Sequence, residues 1–212
     1  MPPHQCTILL ATLGEHEIIR TVVVELSEAI ETLKKVGVVC RVLIVDDSKS
    51  TDFINHVESL FSDLSIDGSI VMGKNNGLGG AIRFGFDVAQ KTGSVDFLVN
   101  LDADGQHNPL QIPEIVSRHL QGGFDLTIGS RWTEGGSAEG MKLIRKLLSK
   151  GAAKILHQVG VDSQIKDPTT SFRVYGKRAF ELVSREAIDL EGFAFFGGAV
   201  AICCSDGLSI AE

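Results

Sequence analysis

Short, continuously apolar runs recur along this chain, and each is followed by a segment whose apolar residues return at helical spacing. The runs are Thr7 to Ala11, Val42 to Val45, Ile70 to Met72, Phe97 to Leu101 and Leu126 to Ile128. A strand with one wet face alternates apolar and polar residues. A run that is apolar throughout is buried on both faces. Between the runs, Glu15 to Val36 carries Ile18, Ile19, Val22, Val23, Leu26, Ile30 and Leu33 at helical spacing. Thr51 to Phe61 reads as a short helix with Ser50 or Thr51 as its N-cap. Gly80 to Gln90 and Pro109 to Leu120 read as helices, the second with Pro in its first turn. Later, Met141 to Val159 reads as a long helix, Phe172 to Tyr175 as a short strand, and Gly176 to Ser184 and Phe193 to Cys204 as helices. This order predicts an α/β fold: a Rossmann-like, mainly parallel central sheet covered by helices on both faces.

A chain of 212 residues with 43% hydrophobic and 22% charged residues fits one domain with a real core. No repeat or linker divides it. Residues 1–105 read as a nucleotide-binding half and 106–212 as an acceptor half. The net charge of −7 argues against a nucleic-acid partner, which needs a basic face. Anionic small substrates stay open, because a cation or a few arginines override net charge locally. Cys6, Cys40, Cys203 and Cys204 form no CxxC pair and read as reduced structural thiols. The N-terminus lacks a charged-then-apolar signal pattern. The most apolar segment, Phe193 to Cys204, is too short to cross a bilayer. A soluble chain follows, free to lie against a membrane.

Polar residues gather where the apolar runs end. Asp102-Ala103-Asp104-Gly105-Gln106-His107 directly follows Phe97 to Leu101. Open α/β sheets bind ligands at that edge. Two carboxylates and an amide oxygen suit a hard cation, Mg²⁺ or Mn²⁺. An acidic turn built on Asp104-Gly105 fits the tripeptide equally well. Thr12-Leu13-Gly14-Glu15 and Asp46-Asp47-Ser48 end two further strands, and such groups accept bonds from a base or a ribose. Asp47 and Ser48 also suit a plain turn and helix cap. Asn75-Asn76-Gly77-Leu78-Gly79-Gly80 is a glycine-rich strand-to-helix turn that lets backbone approach a nucleotide. Its spacing departs from the dinucleotide fingerprint.

The second half carries cations. Gly129-Ser130-Arg131 follows the fifth run, and Arg145 and Ser149 share one helix face. Two guanidinium groups and a hydroxyl can clamp a phosphate dianion. An ordinary solvated basic helix is the rival, given Lys142, Lys146 and Lys150 nearby. Glu134 to Gly140 reads as a loop over the site. In Lys166 to Arg173, Asp167 can orient a sugar hydroxyl or neutralise an arginine, and Arg173 can pair with Asp167 or another acid.

Together these stretches resemble glycosyltransferase family 2, most closely its dolichol-phosphate mannose synthase-like branch, over essentially the whole chain. The matching residues are Val45-Asp46-Asp47-Ser48, Asn76-Gly77-Leu78-Gly79, Asp102 to His107, Gly129-Ser130-Arg131, Arg145 with Ser149, and Asp167 to Arg173. The resemblance implies a GT-A fold, a nucleoside diphosphate sugar donor of the GDP-mannose or UDP-glucose type, and Mg²⁺ or Mn²⁺ held at Asp102, Asp104 and Gln106. It implies that Thr12, Glu15, Asp46, Asp47, Asn76 and Gly79 surround the nucleoside, with Asp102 and Arg173 also contacting substrate. It implies that Arg131, Arg145 and Ser149 hold a polyprenyl phosphate acceptor, with Asp104 and Asp167 among the catalytic groups. A cytoplasmic location with peripheral contact at the cytosolic membrane face follows from such an acceptor. Ala11 stands where the family has Pro, Gly14 where it has Asn, Ser171 where it has Gly, and Gly198 where it has an acid. The change at Ser171 is expected to alter a turn needing positive φ. The family continues past the position of Glu212 into a further strand and a basic loop, so the acceptor half is expected to be cut short.

Three rival functions fit parts of the pattern. A family 2 transferase with a sugar-hydroxyl acceptor would need a carboxylate base, for which Asp167 is the candidate. A nucleotidyltransferase would show a basic, glycine-rich stretch after the first strand, where Leu13-Gly14-Glu15-His16 stands instead. A non-catalytic nucleotide-sugar binding module would keep only the donor groups.

Overall fold

The computed structural model describes residues 2–74, 77–93, 95–133, 135–136, 143–187, 190, 192 and 194–212. Its elements alternate as the apolar runs do: β1 (His4–Thr12), α1 (His16–Lys35), β2 (Val38–Asp46), α2 (Thr51–Asp63), β3 (Gly68–Met72), α3 (Gly77–Lys91), β4 (Phe97–Asp102), α4 (Ile112–Gly122) and β5 (Leu126–Ile128). Then follow α5 (Leu143–Gln158), β6 (Arg173–Gly176), α6 (Lys177–Glu186), α7 (Ala194–Ser205) and β7 (Ile210–Ala211).

The strands form one sheet in the order β3-β2-β1-β4-β6-β5-β7. Pairing is parallel except at β6, which runs antiparallel to both β4 and β5. The chain turns one way from β1 to β2 and the other way to β4, which creates a switch point at the carboxyl ends of the strands. Register places Thr12 opposite Asp46, and Ala11 opposite Asp102. The polar residues that end these three strands therefore line one edge.

Both sheet faces are buried, which explains why the strands read as unbroken apolar runs. Successive residues point to opposite faces. Ile8, Leu10, Val42 and Ile44 pack with Ile19 and Leu26 of α1, Phe53 of α2 and Val116 of α4. Leu9, Leu43, Val45 and Leu98 pack on the other face with Ile82 and Phe86 of α3, Phe180 of α6 and Phe195 of α7. Phe86 meets Tyr175 and Phe195 edge-on, at 5.2 and 5.8 Å between ring centroids. Gly85 in the middle of α3 costs about 1 kcal/mol relative to Ala in helix propensity. A Cβ there would lie 2.4 Å from Leu9 Cδ1, so the glycine permits α3 to sit close on β1.

Several boundaries differ from the sequence reading for local reasons. Ser50, rather than Thr51, caps α2, accepting the Phe53 N–H at Oγ (3.2 Å). Pro109 to Gln111 form a 3₁₀ turn before α4. Pro113 has no N–H to donate back to residue 109, so the α-helical ladder cannot run through that turn. β7 was not expected, because a two-residue strand carries no periodicity. Ser171 keeps negative φ, so its turn does not need the glycine the family has there; among the described residues Lys49 and Ser65 are the non-glycine positions with positive φ. Asn75 and Asn76, most of the Glu134 to Gly140 loop, Met141, Lys142 and Phe193 lie outside the described residues.

His119 ties α4 to the sheet. Its Nδ1 lies 3.0 Å from Thr127 Oγ1 of β5, and burial pushes its pKa down to about 4. An unfolded histidine titrates near 6.5, so between those values the unfolded chain binds more protons. Stability is therefore expected to fall as pH drops from about 6.5 toward 4, by up to ~1.4 kcal/mol per pH unit. Urea denaturation of wild type and His119→Gln across that range checks this; the variant's profile should be flatter.

Candidate active site

The β1 end is a self-closed loop. Glu15, which precedes α1, accepts from the Thr12 hydroxyl and from Leu13 N–H (2.9 Å), and Thr12 Oγ1 accepts from Gly14 N–H (3.0 Å). Gly14 sits at φ +87°, and a Cβ there would lie 2.7 Å from Ser48 Cβ. Asn at this position would press on the β2 turn.

The β2 end divides its two acids. Asp46 has no solvent exposure, and both its oxygens serve Ser48, one from N–H (3.0 Å) and one from the hydroxyl (2.8 Å). The nucleoside contact expected of Asp46 is replaced by turn formation. Asp47 instead reaches toward Gly73, where a Cβ would stand 1.9 Å from Asp47 Oδ1. Gly73 is the cradle that makes room for this carboxylate. Gly79 is buried in the first turn of α3, which starts three residues earlier than expected, at Gly77. Asn76 lies outside the described residues.

At the β4 end, the turn and the acidic cluster coexist. Asp104 Oδ1 accepts Gln106 N–H (3.0 Å), and Gly105 takes φ +77°. Asp104 and Gln106 are exposed, whereas Asp102 is half-buried. The Asp102 backbone N–H donates to His107 Nδ1 (3.3 Å), which leaves the ring proton on Nε2. Burial pushes the His107 pKa down and the Asp102 pKa up, each opposed by the other's charge. Asp102 Oδ1 is buried with no hydrogen-bond partner among the described residues.

The second half supplies an ion-pair network. Arg131, three residues past β5, forks onto Asp167. Its Nε donates to Oδ2 and its Nη2 to Oδ1, both at 2.6 Å, and its backbone N–H reaches Oδ2 at 3.0 Å. The Asp167 side chain is fully buried, and that of Arg131 is 20% exposed. Arg131 Nη2 also lies 3.3 Å from Ser149 Oγ, which is 2.8 Å from Thr169 Oγ1. One turn earlier on α5, Arg145 donates to Gln106 Oε1 (3.4 Å). The shared face of Arg145 and Ser149 thus spans from the acidic turn of β4 to the Arg131 network.

Arg173 goes elsewhere. It is fully buried, and its guanidinium donates to the carbonyls of Thr170 (2.8 Å), Pro168 (2.7 Å) and Phe196 (2.7 Å). The structure places it in the core, pinning the 168–170 loop to α7, and not at the site as expected. Its distance in sequence from Phe196 hid this role. His107, Thr169 and Glu212 also join the site without having been assigned a part. His107 could have been suspected from its place after the acidic motif. Glu212 carries no local signal at all.

Known proteins resemble this chain in sequence and in fold. The model of "Glycosyl transferase family 2" matches residues 21–183. A polyprenol monophosphomannose synthase of Mycolicibacterium smegmatis is 28% identical over 100% of this chain and 76% of its own length. A dolichol-phosphate mannosyltransferase of Pyrococcus furiosus is 29% identical over 86% of this chain, which spans 49% of that relative. Glucosyl-3-phosphoglycerate synthase of Mycobacterium tuberculosis, solved with Mn²⁺, UDP and glucosyl-3-phosphoglycerate, superposes with a TM-score of 0.63 at 20% identity, covering 98% of this chain and 68% of that one. S. aureus TarS 1-349 superposes with a TM-score of 0.62 at 12% identity, covering 98% and 58%. At these identities the two structures speak for the fold alone.

Arg173→Ala is expected to strand three buried carbonyls and lower stability by about 3–5 kcal/mol. Chemical denaturation measures it; a loss under about 1 kcal/mol would contradict the core assignment.

Proposed function

The chain belongs to glycosyl transferase family 2 and has the GT-A fold, and from that premise we propose that it moves a sugar from a nucleoside diphosphate sugar to a polyprenyl phosphate. The observation that carries the acceptor is the engagement of Asp167. Its carboxylate takes three N–H bonds from Arg131 and is buried beneath it. A hydroxyl acceptor would need a free carboxylate base, whereas a phosphate is already an anion and needs cations around it. Arg131, Arg145 and Ser149 provide such surroundings beside the acidic turn. The mannose synthase and mannosyltransferase among the relatives support mannose as the sugar. In this reading residues 1–105 serve the donor and 106–212 the acceptor.

A divalent cation, Mg²⁺ or Mn²⁺, fits Asp102, Asp104 and Gln106. They offer hard oxygens, and the partnerless Asp102 Oδ1 is the atom such a cation would satisfy. Bound there, the cation would offset charge on the departing diphosphate. In this reading Thr12, Glu15, Asp47 and Gly79 would surround the nucleoside. In the same reading Arg145, bonded to Gln106, would set positive charge between the donor diphosphate and the acceptor phosphate. The acceptor oxygen attacks the anomeric carbon from the side opposite the nucleoside diphosphate. The glycosidic bond to that diphosphate breaks, and the configuration inverts.

The surface of α5 suits a lipid-borne acceptor. Leu143, Ile144, Leu147, Leu148 and Ile155 are 63–73% exposed along one stripe, flanked by Lys146, Lys150 and Lys154. An apolar stripe with basic flanks lies well at an anionic membrane surface. Among the described residues no helix is long and apolar enough to cross one. We propose that this stripe of α5 rests on a membrane surface that carries the acceptor, at the cytosolic face in this reading.

Two outcomes test this. Asp104→Ala is expected to remove the cation dependence of GDP-mannose or UDP-glucose binding, lowering affinity by about tenfold or more in calorimetry with Mn²⁺. Arg131→Ala with Arg145→Ala is expected to lower transfer to a polyprenyl phosphate by about 100-fold while donor affinity stays within a few-fold. Unchanged transfer in the double variant would sink the phosphate acceptor. Donor binding with no transfer by the wild type would favour the binding module.

A further inference from the structure

We infer that Glu212 is a positioning residue for Arg131, acting through Asp167. Its side chain chelates two neighbouring amides of the acceptor-side loop. Oε2 accepts Lys166 N–H at 2.8 Å and Oε1 accepts Asp167 N–H at 2.6 Å. Asp167 is the residue whose carboxylate receives the Arg131 fork. The next residue, Pro168, has no N–H with which to anchor the loop further. The two bonds hold two successive peptides, 165–166 and 166–167, and so set the direction in which the Asp167 side chain leaves the backbone. Charge-assisted bonds weaken steeply when misaligned, so a turned Asp167 loosens its hold on Arg131.

The sheet brings both ends of this relay together. β7 pairs in parallel with β5, Leu126 opposite Ile210 and Thr127 opposite Ala211. Asp125 Oδ2 accepts from Ser209 N–H and from Ser209 Oγ–H, both at 2.9 Å, which sets where β7 starts. Glu212 then leaves the end of β7 beside the strand that leads into Arg131. One strand pair thus delivers the guanidinium and the carboxylate that orients its partner.

The test is solvent exchange of the Arg131 Nε–H, followed by nitrogen-15 NMR in wild type and Glu212→Gln. The glutamine keeps the shape but turns one acceptor into a donor facing an N–H. Exchange of the Arg131 Nε–H is expected to quicken by about tenfold or more, with the thermal midpoint lowered by only a few degrees. Should this variant not fold, Glu212→Asp, one methylene too short to chelate both amides, decides by the same measurement. Unchanged exchange in the folded variant overturns the proposal. A kinetic arm rests on the polyprenyl-phosphate reading. There the acceptor KM should rise about tenfold with donor affinity within about twofold, and Glu212→Gln should add little to the loss in Asp167→Asn. Independent, multiplying effects of the two substitutions overturn the relay. A wild type that transfers nothing to polyprenyl phosphate overturns the function above, while the exchange measurement still decides Glu212.

Discussion

The carboxylate of Asp167 has no exposure to solvent, and much of the second half of the molecule is arranged around neutralising it. A buried ionised carboxylate without a partner costs several kcal/mol, so the fold must bring a cation to it. Arg131 supplies that cation with fork geometry, which a lysine could not match. The Nη2 that holds Asp167 Oδ1 also reaches Ser149 and Thr169, so the guanidinium is fixed against both. The ion pair is therefore a structural demand of the fold, and under the proposed function it also orders the cation beforehand. Recognition of an anion benefits when the cation is already ordered before binding.

The donor side follows from a different constraint. Because both faces of the sheet are covered, carboxylates are tolerated where strands end and solvent begins. Parallel register then sets Thr12 opposite Asp46 and Ala11 opposite Asp102, so all three strands end their polar residues at one edge. Their neighbours sort them. Asp46 is closed off by Ser48 and shapes the turn, while Asp47 occupies the space that Gly73 leaves. Asp102 keeps one buried oxygen without a hydrogen-bond partner among the described residues, and burial raises its pKa.

Helix α5 joins these two sides. Arg145, Ser149 and Ala153 recur one turn apart, reaching Gln106, Thr169 and the body of the protein in turn. The apolar stripe of the same helix faces solvent. A single element thus carries cations toward the site on one side and a lipid-compatible surface on another.

The order of strands and helices was legible in the sequence, because burial on both faces writes an unbroken apolar run into each inner strand. The acidic edge was legible for the same reason, since polar residues directly after such runs have nowhere else to go. The short β7 and the antiparallel β6 were not, as neither length nor direction leaves a periodic trace. Side-chain partnerships were legible only where they are local, as with Ser50 capping α2. Asp167 stands 36 residues from Arg131 and 45 from Glu212. Residues so far apart meet through strand register and loop packing. The sequence by itself determined which residue types would reach the carboxyl edge of the sheet. The tertiary structure alone decided that Arg131 faces Asp167, that Arg173 turns into the core, and that Glu212 braces the loop between them, because a hydrogen bond depends on direction, and direction is set by the packed fold.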